Sequence, residues 1–303
     1  MKKILPFISI ALLLALLYFS DFNVVVESIA KANIIFLIFA AFISVFALLV
    51  KIMRWKVLVS RISFKDSVFS FLPALFIANL TPARIGEPVR SFFLKKITGH
   101  AVSYTIPRVI IERALDLLSL VILSIVGIFL FSFGLEYPTL SIVLLTAFIV
   151  LMILVLKSKR AISKVFGILF KLFSLHKTRK WKTRSEEITE KFHNGMHVQK
   201  RILLSAFLLS LIVWFLEGFA FYLVMISLNI ELPPIFIVAV FAFSVLMGTV
   251  SFLPGGIGST EFVFVLILSV HIATAQATAI VILGRFLTFW LTMFICGIFW
   301  RKV

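Results

Sequence analysis

Cysteine is almost missing. Cys296, inside an apolar run, is the only one in 303 residues, so the chain forms no internal disulfide and no thiolate metal cluster. Charge is also scarce, at 14% of residues, where soluble domains carry about 25%. A soluble globule of this length would lack the polar side chains to cover its outside. A disordered chain is excluded too, because 62% of the residues are hydrophobic and 35 are Phe. Acidic residues number 13 against 30 Lys and Arg, a net charge of +17. Such basicity often marks a nucleic-acid binder. Here the basic residues sit at the ends of apolar runs, as the positive-inside rule places them in a membrane protein, and no nucleic-acid partner is expected. No small-residue cleavage site follows the first apolar run, where Tyr18, Phe19, Ser20 and Asp21 stand. That run therefore reads as an uncleaved anchor helix rather than a signal peptide.

What is present is apolar length. A spanning helix needs about 20 mostly apolar residues. Six stretches qualify: about 4–20, 32–52, 103–133, 138–156, 203–228 and 273–300. Two further regions are apolar but broken. Residues 67–80 run into Thr81-Pro82-Ala83-Arg84-Ile85-Gly86-Glu87-Pro88, followed by a short segment 89–97. Residues 235–252 run into Leu253-Pro254-Gly255-Gly256-Ile257-Gly258-Ser259-Thr260-Glu261, followed by a short segment to His271. Pro82-x-x-Ile85-Gly86 recurs as Pro254-x-x-Ile257-Gly258 at an offset of 172, and Arg113 and Arg285 share that offset. Internal repetition of this kind is typical of transporters.

Two re-entrant hairpins, 67–97 and 233–271, keep the basic residues on one side. They place 24 Lys and Arg inside, among them Lys51 and Arg54 in an inner loop at 51–66, and Lys31 alone outside, with Arg84, Arg90, Arg108, Arg113 and Arg285 at membrane depth. The expected fold is an all-α polytopic membrane protein of about six spanning helices plus two hairpins, or eight spans by hydropathy alone. It forms a single domain over 1–303, with repeat 1 at about 32–133 and repeat 2 at about 203–300. The repeats have inverted topology, and both termini are cytoplasmic. The basic loop 157–202 lies inside. Within it, 159–175 puts Ile162, Val165, Phe166, Leu169 and Phe173 on one helical face and Arg160, Lys164 and Lys171 on another, the pattern of an interfacial helix. His193 and His197 stand four apart, but Gly195 weakens a helix there and no acid lies between them, so no metal site is expected.

Five Arg and no Lys remain at membrane depth, beside Glu87, Glu112, Asp116, Glu217 and Glu261. Each ionised group costs roughly 2.5–3.5 kcal/mol at the bilayer centre, so ten facing lipid would cost on the order of 25–35 kcal/mol. They must face one another or a wet cavity. Arg108, Glu112 and Asp116 fall on one stripe of helix 103–133, and Arg113 reaches Asp116 at i+3. Two readings stand: ion pairs that lock helices together, or an anion clamp of Arg84, Arg90, Arg113 and Arg285. Guanidinium suits the clamp, because its planar fork matches two phosphate oxygens. Helix N-termini after Gly86 and Gly258 would point at the same place, and the Pro82, Pro254, Gly255 and Gly256 turns would add backbone N–H groups. The alternative for Gly255-Gly256-Ile257-Gly258 is a tight turn between packed half-helices. Glu217 and Glu261 read either as proton carriers or as partners of Arg285.

Gly86-Glu87 with Arg90, Glu112-Arg113 with Asp116, and Pro254-Gly255-Gly256-x-Gly258 with Glu261 resemble the flippase-like family named after the transmembrane region of lysylphosphatidylglycerol synthases. The resemblance covers nearly the whole chain. It implies a bacterial or archaeal integral membrane protein that handles lipids. Fused members of that family aminoacylate phosphatidylglycerol in a separate soluble domain and flip the product. This chain ends at Val303 and is expected to be a stand-alone member without that domain or its synthase activity. The expected function is translocation of a phosphate-headed or otherwise anionic lipid, or of a polyprenyl-phosphate-linked intermediate, in the cell membrane. No catalysis and no cofactor are expected. The alternative is a non-catalytic membrane subunit that presents a lipid-linked intermediate to a cytosolic glycosyltransferase. An intramembrane enzyme with Glu112 or Glu261 as base lacks an activated Ser, Cys or metal.

Overall fold

A computed structural model describes residues 11–12, 14, 18, 20–82, 84–131 and 198–300. Spans 138–156 and most of 4–20, the loop 157–197, and the His193/His197 pair lie outside the described residues. The described chain is all-α: α1 Phe22–Ala30, α2 Ile34–Val59, α3 Phe64–Leu80, α4 Val89–Thr98, α5 Val102–Phe131, α6 Lys200–Ser227, α7 Pro234–Val250, α8 Ser259–Leu268, α9 Thr274–Arg285 and α10 Leu291–Trp300. A π-helical turn, Phe286–Trp290, joins α9 to α10.

Local chemistry sets these ends. Asn33 caps α2 by accepting from the Ile35 N–H at 3.0 Å. Ser63 and Asp66 form a reciprocal capping box at the start of α3. Gly99, at φ 77, ends α4 in the left-handed conformation that favours glycine. Pro233-Pro234 opens α7 where its missing N–H costs nothing.

Helices α2, α6 and the joined α9–α10 are long and apolar enough to cross a membrane. One stripe of α2 is apolar yet open: Ile35, Ile38, Phe42, Phe46, Leu49 and Met53 are all exposed, at i+3 and i+4 spacing. In water that would be an aggregation surface; in a bilayer it faces lipid. The opposite face of α2 packs on α6. Helices α3 and α4, at 17 and 10 residues, span about 26 and 15 Å, less than a bilayer core of about 30 Å. The same lengths recur in α7 and α8. The two broken regions are thus helical hairpins.

The halves correspond element by element. Helix lengths run 26, 17, 10 and 30 residues in α2–α5, and 28, 17, 10 and 27 in α6–α10. Their packing is reciprocal: α3 lies on α10, α7 lies on α5, and α2 lies on α6. The main apolar core sits in the second half, where Phe221 stacks against Phe241 and Phe264 with ring centres 5.0 and 4.9 Å apart.

One boundary differs from expectation. Span 32–52 runs on to Val59, because nothing in 53–59 breaks a helix. Lys51 and Arg54 therefore lie within α2, not in a cytoplasmic loop at 51–66.

Gly284 packs so closely on Phe221 that an added Cβ would lie 2.2 Å from its ring, whereas at Gly297 the nearest atom would be 3.4 Å away. Gly284→Ala is expected to destabilise the detergent-solubilised protein by about 1–3 kcal/mol, as overpacking does. Gly297→Ala is expected to leave it unchanged. Thermal unfolding followed by tryptophan fluorescence would show the difference, and equal melting of both variants would contradict this packing.

Candidate functional site

The turns of the two hairpins meet. Pro82 and Pro254, residues at the 172 offset, pair as an isolated antiparallel bridge. Thr81 Oγ1 accepts from the Gly86 N–H at 2.9 Å, so a Cβ at Gly86 would collide with that oxygen. In the second turn Gly255, Gly256 and Gly258 adopt φ of 60°, 67° and 91°. The residue that matches Gly256 in the first turn is Arg84, and it adopts φ 55°. A side chain in that conformation costs about 1–2 kcal/mol, so the first turn is strained where the second is not.

Ion pairs tie each hairpin to the helix after it. Arg285 on α9 pairs with Glu261 on α8 and donates to the Gly255 carbonyl at 3.2 Å. Arg113 on α5 sits 2.7 Å from Glu87, which lies just before α4. The Glu261 carboxylate also accepts from the Gly258 N–H at 2.7 Å. The N-terminus of α8 is thus capped by the chain's own acid.

The centre of the network is a residue that the sequence reading assigned to a loop. Arg54, 1% exposed, reaches from α2 to α5 and α6. It contacts Glu112 at 2.6 Å, Asp116, and Ser210 at 2.6 Å. Trp214 Nε1 donates to Asp116 at 2.9 Å, and Arg113 pairs with Asp116 as its i+3 spacing predicts. Arg90 lies 2.7 Å from Glu112, with its guanidinium 4.2 Å over the Trp55 ring. Lys51 pairs with Glu217. Arg108 turns away from the expected stripe, donating to the carbonyls of Leu58 at 3.2 Å and Tyr104 at 2.6 Å.

Beside this network is a cavity of about 50 Å³, room for a few waters, since one needs about 10–15 Å³. Its ionised lining residues are Lys51, Arg84, Glu217 and Arg285. A narrow extension of about 10 Å³ shares Lys51 and Arg84 with it and reaches Glu87, Arg90 and Arg113. All four arginines of the expected clamp line one space or the other. Three of them already hold carboxylates. Among the described residues, Arg84 has no ion pair. Lys51, Arg54, Arg84, Arg90, Arg113 and Arg285 face Glu87, Glu112, Asp116, Glu217 and Glu261, which leaves one positive charge over. The arrangement can attract an anion into a confined, partly dry space. Among the described residues, no group of three His, Cys, Asp or Glu is placed to hold a metal ion.

The family model of the lysylphosphatidylglycerol synthase transmembrane region matches residues 7–296. The chain belongs to this family. Among similar proteins of the family is a UPF0104 membrane protein of Pyrococcus horikoshii, 28% identical over 98% of this chain and 96% of its own length. Another, from Methanocaldococcus jannaschii, is 30% identical over 71% of this chain and 88% of its own. A third, from Methanothermobacter thermautotrophicus, is 23% identical over 88% and 84%. For this member of the synthase transmembrane-region family, the reading of an Arg-only set at membrane depth needs correction, since Lys51 and Arg54 belong to the site. The usable signal was spacing: Ala40, Ala47 and Arg54 recur every seven residues on the packed face of α2.

Removing Arg54 would take from two buried carboxylates, Glu112 and Asp116, the cation they share and leave its own place in the helix seam empty, a loss of about 3–5 kcal/mol. Arg54→Leu is expected to unfold or aggregate on solubilisation. Arg54→Lys is expected to recover little, because an ammonium cannot fork between Glu112 and Asp116. Size-exclusion profiles of the solubilised variants would check this; a monodisperse Arg54→Leu protein would contradict it.

Proposed function

We propose that this chain moves a phosphate-headed or otherwise anionic lipid, or a polyprenyl-phosphate-linked intermediate, between the leaflets of the cell membrane, without catalysing a reaction on it. The carrying observation is Arg84: a guanidinium on a strained backbone, with no ion pair among the described residues, in a cavity whose other charges are matched. An uncompensated cation is costly at membrane depth, and an anion entering the cavity removes that cost. Phosphate answers the guanidinium with two oxygens at once.

The matched hairpins support the mode of movement. We read them as inverted repeats, one entering from each face, in a multi-pass protein with both termini in the cytoplasm. Each hairpin is bonded to its following helix, the first by Glu87–Arg113 and Arg90–Glu112 and the second by Glu261–Arg285, so each hairpin moves with that helix. Movement of the second hairpin with α9 against the block of α2, α5 and α6, at the Pro82–Pro254 junction, opens the cavity to alternate leaflets while the tails remain in lipid. The family's description refers to the membrane region of a phospholipid synthase, which agrees with a lipid cargo.

Arg84→Gly separates function from folding. It places glycine where the second half has Gly256, so the melting temperature is expected to equal or exceed that of the wild type. Translocation of a fluorescent anionic lipid in proteoliposomes is expected to fall at least about tenfold, the loss of one charge-assisted contact of roughly 1.5–3 kcal/mol. Wild-type transport by the variant, or no transport by an intact wild-type preparation, would defeat the proposal.

A further inference from the structure

A larger cavity lies at the end of the bundle where α2 stops, α4 turns into α5 and α6 begins. Its volume is about 490 Å³, the size of a ligand pocket, and it shares no lining residue with the spaces around Arg84. Ser60, Arg61, His100, Tyr104, Arg108 and Gln199 supply its polar lining, and no acid lines it.

The backbone at its rim is strained. Ser60 stands at φ 58 and ψ 159, beside a region that glycine alone enters freely, and Arg61 follows at φ 54. Arg61 thus repeats both features of Arg84: a left-handed backbone, and no ion pair among the described residues. Arg108 is fixed from two sides. Its guanidinium donates to the Leu58 and Tyr104 carbonyls and lies 3.5 Å over the Tyr104 ring. Tyr104 is itself anchored, since its hydroxyl donates to the Val59 carbonyl at 3.0 Å. The tautomer of His100 follows from its partner. Thr98 Oγ1 gives its one proton to the Leu94 carbonyl at 2.8 Å, so His100 Nδ1 is the donor in the 2.7 Å contact between them. His100 Nε2 then has no hydrogen bond among the described residues. It accepts when the ring is neutral and donates when the ring is charged.

Two guanidiniums in a lining without a carboxylate suit a ligand with more than one negative charge. A carboxylate or a phosphodiester brings one. A phosphate esterified only once brings about −1.5 to −2 at pH 7 and three acceptor oxygens. Arg61, Arg108 and the Gln199 amide are donors to such oxygens, and the guanidinium fork takes two of them at once. Lys95 and Lys96 in the last turn of α4, with Lys200 and Arg201 in the first turn of α6, flank the site and draw anions toward it. We infer that this cavity binds a terminal phosphate group, a phosphate monoester, at a site separate from the one around Arg84. The group can be carried by a soluble ester or by a lipid with a bare phosphate head. The inference does not depend on what Arg84 binds.

Isothermal titration of the detergent-solubilised full chain at pH 8 tests this with two pairs of probes. The soluble pair is glycerol 3-phosphate and the diester glycerophosphoglycerol. The lipid pair, in mixed micelles, is phosphatidic acid and the diester phosphatidylglycerol. The readout is the binding that Arg61→Gly loses, which leaves out the Arg84 cavity. Arg61→Gly removes the cation and the backbone strain together, so its melting temperature is expected to equal or exceed that of the wild type. Its affinity for the preferred monoester is expected to fall at least about tenfold, the effect of one charge-assisted contact. At this site the monoester is expected to bind at least about tenfold tighter than its diester. Phosphatidic acid binding tighter than glycerol 3-phosphate would identify a lipid as the source of the phosphate; the reverse order would identify a soluble ester. Wild-type affinity for both monoesters in a folded Arg61→Gly protein, equal binding of monoester and diester at this site, or no binding of either monoester would overturn the inference.

Discussion

A bilayer interior gives an ionised side chain no water, so each charge there must find an opposite charge or a wet space. The described structure is organised around that constraint. Arg54 binds two carboxylates of α5 at once, and with Ser210 and Trp214 it joins α2, α5 and α6 into one block. Glu87–Arg113 and Glu261–Arg285 fasten the hairpins to that block and to α9. Buried pairs of this type add little net stability against an apolar equivalent, because desolvation offsets their attraction. Their effect is to fix geometry: they hold the walls of a small cavity in which Arg84 has no ion pair among the described residues.

The halves agree in helix order, helix length and packing, so their differences stand out. At the matched position in the turns, one half has Gly256 and the other Arg84, in the same left-handed conformation. Glycine is at ease there and arginine is not. Strain of this kind persists only where the surroundings enforce it, and here they place a guanidinium at the junction of the two turns. The threonines that line the cavity come from the other half, Thr249 from α7, Thr260 from α8, Thr288 from the π turn and Thr292 from α10.

Much of this was legible in the chain itself. The hairpins were readable because Pro and Gly interrupt apolar runs too short to span, and the match at offset 172 identified the turns that meet. The Arg113–Asp116 pair followed from helical spacing; of the two acids left open as partners of Arg285, Glu261 holds it and Glu217 pairs with Lys51 instead. Lys51 and Arg54 were misplaced, because a basic residue after an apolar run looks alike whether it ends a span or continues on a buried face. Only the partner helices distinguish the two cases, and those lie more than 50 residues away in sequence. Arg108 lies on the expected stripe but near the end of α5, where the Leu58 and Tyr104 carbonyls are closer partners. The left-handed backbone of Arg84 had no signal at all, since sequence marks such positions chiefly through glycine.

The central claim is that Arg84 is held unpaired in order to receive an anion. Structure determination of the protein in lipid nanodiscs, at a resolution that shows side chains, tests it most directly. The account predicts headgroup density with phosphate oxygens within hydrogen-bond distance of the Arg84 guanidinium, inside the cavity shared with Lys51 and Arg285. An Arg84 side chain bonded instead to Glu87 or Glu217, with no lipid density beside it, would contradict it.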